Sequence, residues 1–220
     1  MTHGNDTDLA VGSVVGPVNL FLHSLFSQVD ISLNGTLITS SNNTYPYWAM
    51  IETLLSYGMD AKTSQPTSAL YYKDTAGNMD SMDFENENNV NKGLAVRRVI
   101  DMMGRLHADI FFQDRYMLNE VGVKIKLIRS KDEFCLMGDA NYKVKITHAS
   151  LFVRKVNVMP SVFLAYAKAM ERGTAKYPIR RVVCKSFTIP HNYLDMNHEK
   201  LFFRAITHAH RDRLGRQQGI

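Results

Sequence analysis

Residues 26–58 read FSQVDISLNGTLITSSNNTYPYWAMIETLLSYG, and this stretch decides the fold of the chain. Apolar and polar residues alternate up to Asn34-Gly35, after which residues 36–39 form a second extended run. Alternation of this kind is typical of a strand with one buried face. Asn-Gly between two such runs predicts a β-hairpin, because both central positions of a type I′ turn need a positive φ. The predicted apolar face of the first strand consists of Val29, Ile31 and Leu33.

A helix is predicted directly after the hairpin, near residues 45–57. Asn43 and Thr44 offer cap oxygens, and Pro46 suits the first helical turn. Apolar residues then recur at helical spacing until Gly58 ends the run. The face expected to be buried contains Ala49, Met50, Thr53, Leu54 and Tyr57.

Most of the remaining chain is predicted to form strands. Their patterns lie at residues 105–112, 122–128, 142–158 and 177–190. In the third stretch the phase of the alternation changes around residues 148–150, where we expect a bulge or bend that switches the buried face. Several alternating strands with few long helices favour an antiparallel sandwich over a parallel α/β sheet.

A second helix and a long loop are also predicted. Residues 161–172 read SVFLAYAKAMER, with Ser161 as a cap candidate and Gly173 at the end. Residues 73–92 are polar and acidic and lack periodicity, so we expect them to form an exposed loop. With this helix and loop included, strands remain the predominant predicted secondary structure of the chain.

Long stretches of this chain resemble the double jelly-roll major capsid proteins of Polinton (Maverick) elements and the related adintoviruses. Together they cover most of residues 16–203, in order along the chain. Runs of this length are far more specific than a short motif. The stretches are GPVNLFLHSLFSQVDISLNGTLITSSNNTYPYWAMIETLLSYG, SALYYKDTAG, DMMGRLHADIFFQDRYMLNEVGVKIKLIRSKDEFCLM, LFVRKVNVMPSVFLAYAKAMERGTAKYPIRRVVCKSFTIP and NHEKLF.

The resemblance implies an all-β fold: a jelly-roll β-sandwich that is the first, incomplete domain of a double jelly roll. It also implies five parts. These are a poorly structured N-terminus at 1–15, the first jelly-roll domain at 16–158, a linker helix at 159–176, the start of a second jelly-roll domain at 177–203, and an aberrant tail at 204–220.

The tail is where the chain departs most sharply from the family. Residues 204–220 read RAITHAHRDRLGRQQGI, which is basic and lacks strand periodicity, whereas the family continues with an apolar strand. A neighbouring reading frame can encode an apolar strand, so we expect a frameshift and a truncated, integrated gene copy. Loss of strands would leave a bare sheet edge and an apolar strip, which predicts a product that is poorly soluble or needs partner chains.

The function implied by the resemblance is structural. Intact relatives would form trimeric building blocks of a shell around double-stranded DNA, so the expected localisation is the virion, or otherwise the nucleus or cytoplasm. Expected partners are further copies of the chain and other capsid proteins, with no membrane. The alternative is a β-sandwich binding module domesticated by a host, which is also non-enzymatic.

The charge of the chain is divided unevenly. Residues 1–90 carry two Lys against ten Asp and Glu, a net of −8, whereas residues 91–220 carry 24 Lys and Arg against 11 acids, a net of +13. Solvated faces that happen to differ in sign would explain this. Alternatively, surfaces of opposite sign meet between subunits, or the basic half contacts packaged DNA without reading its sequence. No helix-turn-helix or zinc-finger pattern is visible, which argues against sequence-specific binding.

The sequence supports no catalytic, cofactor or metal residue, and we predict that the chain is not an enzyme. His107 and Asp109 would share a strand face, which we interpret as a solvated face in preference to an acid–base pair. The His residues 191, 198, 208 and 210 and Asp195 do not have zinc-site spacing. The Ser residues 24, 27 and 56 lack a G-x-S-x-G context, and Cys135 has no evident His partner.

Aromatic residues near the hairpin suggest the lectin-like form of the alternative. Jelly rolls serve as lectins, and exposed rings can stack on sugars. At helical spacing, however, Tyr47 and Trp48 are better explained as packing against a sheet. The aromatic residues concerned are Tyr45, Tyr47, Trp48 and Tyr57.

Cysteine usage and the N-terminus bear on the compartment. No charged-then-apolar leader and no long apolar run is present, so we predict neither secretion nor a membrane span. Cys135 and Cys184 lie in apolar or strand-like runs, which predicts two buried free thiols in a reducing compartment, with a disulfide between them as the less favoured alternative.

Overall fold

A computed structural model of the chain describes residues 2–3, 15–39, 42–74, 76–77, 99–138, 142–180, 182–188 and 191. The chain divides into two compact units. The first unit contains residues 1–149 and 179–185, and the second contains residues 150–178 and 186–220.

All strand pairs in the described residues are antiparallel. The strands are β1 (Thr2–His3), β2 (Val15–Pro17), β3 (Phe26–Leu33), β4 (Thr36–Leu37), β5 (Val123–Arg129), β6 (Leu136–Gly138) and β7 (Tyr142–Lys143). The helices are α1 (Phe21–Ser24), α2 (Tyr45–Ser56), α3 (Met59–Lys62), α4 (Asp132–Cys135) and α5 (Pro160–Arg172), with 3₁₀ turns at Gln65–Ala69 and Asp109–Phe112. Antiparallel strands with short helices near the two predicted places agree with the all-β expectation at this level.

The strand pairs are nested along the chain. β1 pairs with β7, β2 with β6, and β3 with β5. The successive strands of the N-terminal part thus pair with the strands of the C-terminal part in reverse order. The three pairs are therefore successive parts of one path of antiparallel partners. β4 is the exception, because among the described strands it pairs with its neighbour β3 alone.

The structure confirms the hairpin at Asn34-Gly35. Asn34 has φ 46° and Gly35 has φ 85°, the positive values that a type I′ turn needs. Ser32 lies opposite Leu37, which sets the register of β3 and β4. The side-chain amide oxygen of Asn34 also accepts a hydrogen bond from the N–H of Gly122 at 2.7 Å, which ties the turn to the start of β5.

The core of the first unit lies beneath β3 and the adjoining helices. Val29 and Ile31 are buried, as the alternation predicts, whereas Leu33 is half-buried. One apolar cluster contains Val15, Phe21, Leu25, Leu70, Cys135, Leu136 and Val144, and a second contains Leu20, Ala49, Ala69 and Tyr71. Helix α1 contributes to the first cluster, and α2 to the second, so the helices close the interior together with the strands.

Helix α2 agrees with its prediction at both ends, with one difference. It runs from Tyr45 to Ser56 with Pro46 in its first turn, but the Thr44 hydroxyl forms no capping hydrogen bond. On the predicted buried face, Ala49 and Thr53 are buried, while Leu54 is exposed. The Thr53 hydroxyl donates to the Ala49 carbonyl at 2.8 Å, which satisfies it inside the helix.

The predicted strand at residues 105–112 is wrong. Residues 105–108 form no strand, and Asp109–Phe112 is a 3₁₀ turn. The Arg105 guanidinium donates to the Phe111 carbonyl at 2.8 Å and stacks 3.8 Å from the centroid of the Phe112 ring. These contacts bend the segment back on itself, and local contacts therefore override its alternation.

Two further strand predictions fail in the described residues. Strand β7 ends at Lys143, opposite Thr2, the residue at which its short partner β1 begins. Residues 144–158 are not assigned to a strand, so the proposed bulge at 148–150 does not arise. Residues 177–180 and 182–188 are not strands either. There, the Arg180 N–H donates to the Asp109 carboxylate at 2.7 Å, and Asn42 donates to the Cys184 carbonyl at 3.2 Å. These two backbone groups are therefore hydrogen-bonded to side chains and not to a neighbouring strand.

The second unit contains α5, close to the predicted position. The helix begins at Pro160, one residue before the prediction, so Ser161 lies inside it and Met159 is the capping residue. Gly173 follows the helix, as predicted, with an extended backbone. The predicted loop is described only at residues 73–74 and 76–77, and residues 192–220, which include the predicted tail, lie outside the described residues.

Candidate functional site

Four polar side chains from separate parts of the chain meet beneath α2. His23 comes from α1, and His107 precedes the 3₁₀ turn. Tyr45 and Glu52 lie on the same face of α2, about two turns apart. Both histidines and Tyr45 are buried. We call these four residues the histidine cluster.

The Tyr45 hydroxyl is the centre of the histidine cluster. It lies 3.0 Å from Nδ1 of His23, and it accepts the backbone N–H of His107 at 3.3 Å. Because an N–H can only donate, the hydroxyl proton remains available for His23. One oxygen atom thus links α1, α2 and the segment before the 3₁₀ turn.

Glu52 and His107 form the second link. Nδ1 of His107 lies 2.7 Å from the carboxylate of Glu52. The rings of His23 and His107 meet edge to face, with centroids 4.6 Å apart and planes at 80°. The His107 ring therefore bonds the Glu52 carboxylate and packs against the ring of His23.

The environment keeps the centre of the cluster uncharged. Burial, and then the charge of His107, lower the pKa of His23 to about 3, and burial raises the pKa of Tyr45. At neutral pH His23 is therefore a neutral acceptor for the Tyr45 hydroxyl. No side-chain atom of the histidine cluster is among the fully buried polar atoms without a hydrogen-bond partner, as a buried network requires.

The hydrogen bonds of the histidine cluster hold separate segments of the chain together. A carboxylate beside an imidazole can orient a general base, but here the hydrogen bonds join three chain segments. Gly104 shows how tightly the segments pack, because a Cβ there would lie 2.5 Å from Cδ2 of Leu22 and 3.2 Å from Nε2 of His23. We assign the cluster to holding α2 in place.

The structure separates His107 from Asp109. His107 is buried against Glu52, whereas the Asp109 carboxylate accepts from Gln113 at 3.0 Å and from the Arg180 N–H. The interpretation of both residues as a solvated strand face is therefore wrong, since no strand forms there. A possible signal for the buried cluster was His23, which lies within the apolar run LFLHSLF.

The other candidates for chemistry are placed apart from one another. The Cys135 thiol is buried, free and bonded to the Ser24 carbonyl at 3.2 Å, and burial raises its pKa. This residue fits the prediction of a buried free thiol, whereas Cys184 is free but only half-buried. The hydroxyls of Ser24 and Ser27 donate to backbone carbonyls. Among the described residues, no group of three or more His, Cys, Asp or Glu side chains could hold a metal ion.

The aromatic residues of α2 face different surroundings. Tyr45 belongs to the histidine cluster, and Trp48 is half-buried. Tyr47 is 46% exposed and touches the Phe134 ring edge to face at 5.7 Å. The prediction that Tyr47 packs against a sheet is therefore wrong, because its ring lies against α4 at the surface.

Strand β5 leaves apolar side chains exposed on the sheet. Leu127 is 42% exposed, although it lies directly opposite Val29 of β3, which is 5% exposed. Val123 is exposed on the same face, and Ile125 is half-buried. The layer that covers β3 therefore does not extend to β5.

The second unit also presents apolar side chains to solvent. Phe152 is 81% exposed, and the residues of α5 are exposed all round the helix. Exposed apolar residues between 151 and 170 include Leu151, Phe152, Val153, Val162, Phe163, Leu164 and Tyr166. Continuous apolar surface of this kind marks interaction sites in folded proteins.

Comparison of the chain with protein-family models, with curated proteins and with solved structures found no match. None of the helices in the described part of the chain is long and apolar enough to cross a membrane.

Proposed function

We propose that this chain is a structural subunit of a virus-like protein shell, built as a jelly-roll β-sandwich, which acts by self-association and not by catalysis. The nested pairing of β1–β7, β2–β6 and β3–β5 is the observation that carries this proposal. A long antiparallel ribbon that folds over itself produces two packed sheets with Greek-key connections, the architecture of a jelly roll.

The uncovered surfaces support a subunit that needs neighbours. Burial of apolar area is the main force in association, and within one chain Leu127 remains 42% exposed and Phe152 81% exposed. Further copies, or a second jelly-roll domain, would cover such surfaces. The long resemblance to Polinton capsid proteins supports the same function and adds the expectation of trimers.

Self-association is tested on the full chain by light scattering after gel filtration and by negative-stain electron microscopy. We expect trimers and larger assemblies. Phe152→Asp should lower the assembled fraction at least about ten-fold, because it places a charge in a buried contact. Arg154→Gln changes an exposed polar side chain of the same segment and serves as the matched control. A monomer that unfolds cooperatively would contradict the proposal.

Contact with packaged DNA is the second part of the proposal. Exposed basic side chains of the C-terminal half can pair with phosphate groups without any motif that reads the DNA sequence. They include Lys143, Lys145, Arg154 and Lys155. Gel-shift titrations should find binding that ignores sequence and falls steeply between low and physiological salt. Binding that is unaffected by salt would contradict a phosphate contact.

A further inference from the structure

We infer that the outer edge of β5 binds an extended segment of a partner protein by strand addition, and that this segment alternates acidic with apolar residues. The inference goes beyond the proposed shell function, because it concerns the chemistry of a partner strand and does not require the chain to assemble with itself.

The first observation is a free sheet edge. Strand β5 pairs along its length with β3 on one side, from Phe26–Arg129 to Leu33–Val123, and no described residue pairs with its other side. Within the part of the chain that the structure describes, every second N–H and C=O of β5 therefore points outward without a partner strand. A row of unpaired backbone groups is a template for a further strand.

The second observation is the length of the open edge. At one end Asn34 holds Gly122, and at the other end the Arg129 guanidinium donates to the Val144 carbonyl. Between these contacts no described residue pairs with the outer edge of residues 123–128, and Val123, Lys124, Lys126 and Leu127 are exposed. Six residues are enough for one added strand of ordinary length.

The third observation is the alternation of charge along β5. Lys124 and Lys126 point to one face, whereas Val123, Ile125 and Leu127 point to the other. On the inner side, β3 meets this pattern with Asp30 opposite Lys126 and Ile31 opposite Ile125. A strand on the outer side meets the same two faces, so acids suit one face and aliphatic residues the other.

These observations distinguish between the molecules that could bind at the outer edge of β5. A second copy of β5 would place lysines beside lysines, and like charges directly opposite each other destabilise a pair. A nucleic acid would use the two lysines but neither the apolar face nor the outward backbone groups. An acidic, alternating strand uses all three features.

The experiment measures binding of short fluorescent peptides to the full chain by anisotropy, with hydrogen exchange to locate the contact. The acidic probe alternates Val, Ile and Leu with two Asp residues, and the control probe carries two Lys residues in their place. We expect the acidic probe to bind about ten-fold more tightly and to slow exchange at residues 123–128. A third probe, the acidic sequence with a central Pro, should lose binding because Pro removes a ladder N–H.

A charge reversal at the edge sharpens the test. Lys124→Glu should weaken the acidic probe and strengthen the Lys probe, since Lys124 lies opposite the uncharged Ser32 and its change leaves the pair of Lys126 and Asp30 intact. Lys155→Glu, in the other unit, should change neither affinity. Circular dichroism confirms that each variant is folded.

Three outcomes would overturn the inference: equal binding of the acidic and Lys probes, unchanged binding of the Pro probe, or protection outside residues 123–128. Protection of β5 by a short DNA duplex, with no effect of the acidic probe, would also overturn it and indicate a phosphate site. Binding of the acidic probe to a chain that stays monomeric would support the inference while contradicting the shell proposal.

Discussion

Strands β3 and β5 are hydrogen-bonded neighbours with the same alternation, yet they have opposite environments. On their shared face, Ile31 is fully buried while its neighbours on β5 remain partly or largely exposed. The difference agrees with the position of α2, which packs against β3 and makes at most sparse contact with β5. Pattern and pairing therefore define a strand, but a further layer of structure decides whether its apolar face becomes core.

The largest expected effect tests the covered strand against the bare one. Ile31→Ala should destabilise the chain by about 2–5 kcal/mol, since it leaves a cavity in the core. The matched change Leu127→Ala, on the bare strand, should cost less than about 1 kcal/mol in the isolated chain. Urea unfolding measures both. Equal losses would mean that β5 is covered in solution and would remove the contrast.

The histidine cluster is the polar part of the covered side, and Tyr45→Phe tests it. Removal of the hydroxyl leaves the His107 N–H and His23 Nδ1 without their shared partner, which should cost about 1–3 kcal/mol. Tyr47→Phe, on the exposed side of the same helix, should stay within about 0.5 kcal/mol. A similar cost for both substitutions would show that Tyr45 contributes only its ring.

The same cluster predicts a pH dependence. The pKa of His23 falls from 6.5 to about 3 on folding, so the unfolded chain binds the extra proton and stability decreases as the pH falls from about 6.5 towards 3. His23→Asn should flatten this dependence by up to about 1.4 kcal/mol per pH unit. Ser56→Ala, which removes no titratable group, should retain the slope of the original chain. Unfolding curves at several pH values give the dependence of the free energy of unfolding on pH for each variant. The same dependence for His23→Asn and for the unsubstituted chain would contradict the prediction.

The smallest expected effect concerns the turn that joins β3 to β4. Gly35→Ala should cost about 1 kcal/mol, because alanine resists the positive φ while its Cβ meets nothing within 4 Å. Gly58→Ala is the matched control: its Cβ also meets nothing, and Gly58 has φ −67°. Thermal unfolding of both variants compares them. Identical stabilities would indicate that the hairpin tolerates another turn.

Local patterns predicted those elements whose stabilising contacts are themselves local. The Asn34-Gly35 turn needs only its two positive φ values, and α2 needs only the proline in its first turn and its periodic face. Residues 105–112 carried an equally clear alternation, but the contact of Arg105 with Phe111 and Phe112 turned them into a 3₁₀ turn. Alternation reports a preference that any sufficiently strong side-chain contact can override.

The candidate site was less predictable than the fold. His23, Glu52 and His107 are separated by 29 and 55 residues along the chain, and no spacing rule connects them. The sequence did show that His23 lies in an apolar run, which is a hint of burial without a partner. For β5, the sequence predicted the strand and its two faces, because Lys124 and Lys126 alternate with aliphatic residues. It did not predict that the outer edge of the strand is exposed.

The amino-acid sequence by itself determined the hairpin, the two longer helices and the two faces of β3 and β5, because each depends on residues close together in the chain. Contacts made in the folded chain establish that β3 is buried while β5 is exposed, and that the early strands pair in nested order with the late ones. They also bring His23 to the Tyr45 hydroxyl and His107 to the Glu52 carboxylate. Those outcomes depend on contacts between distant segments, whose free energy no local pattern records.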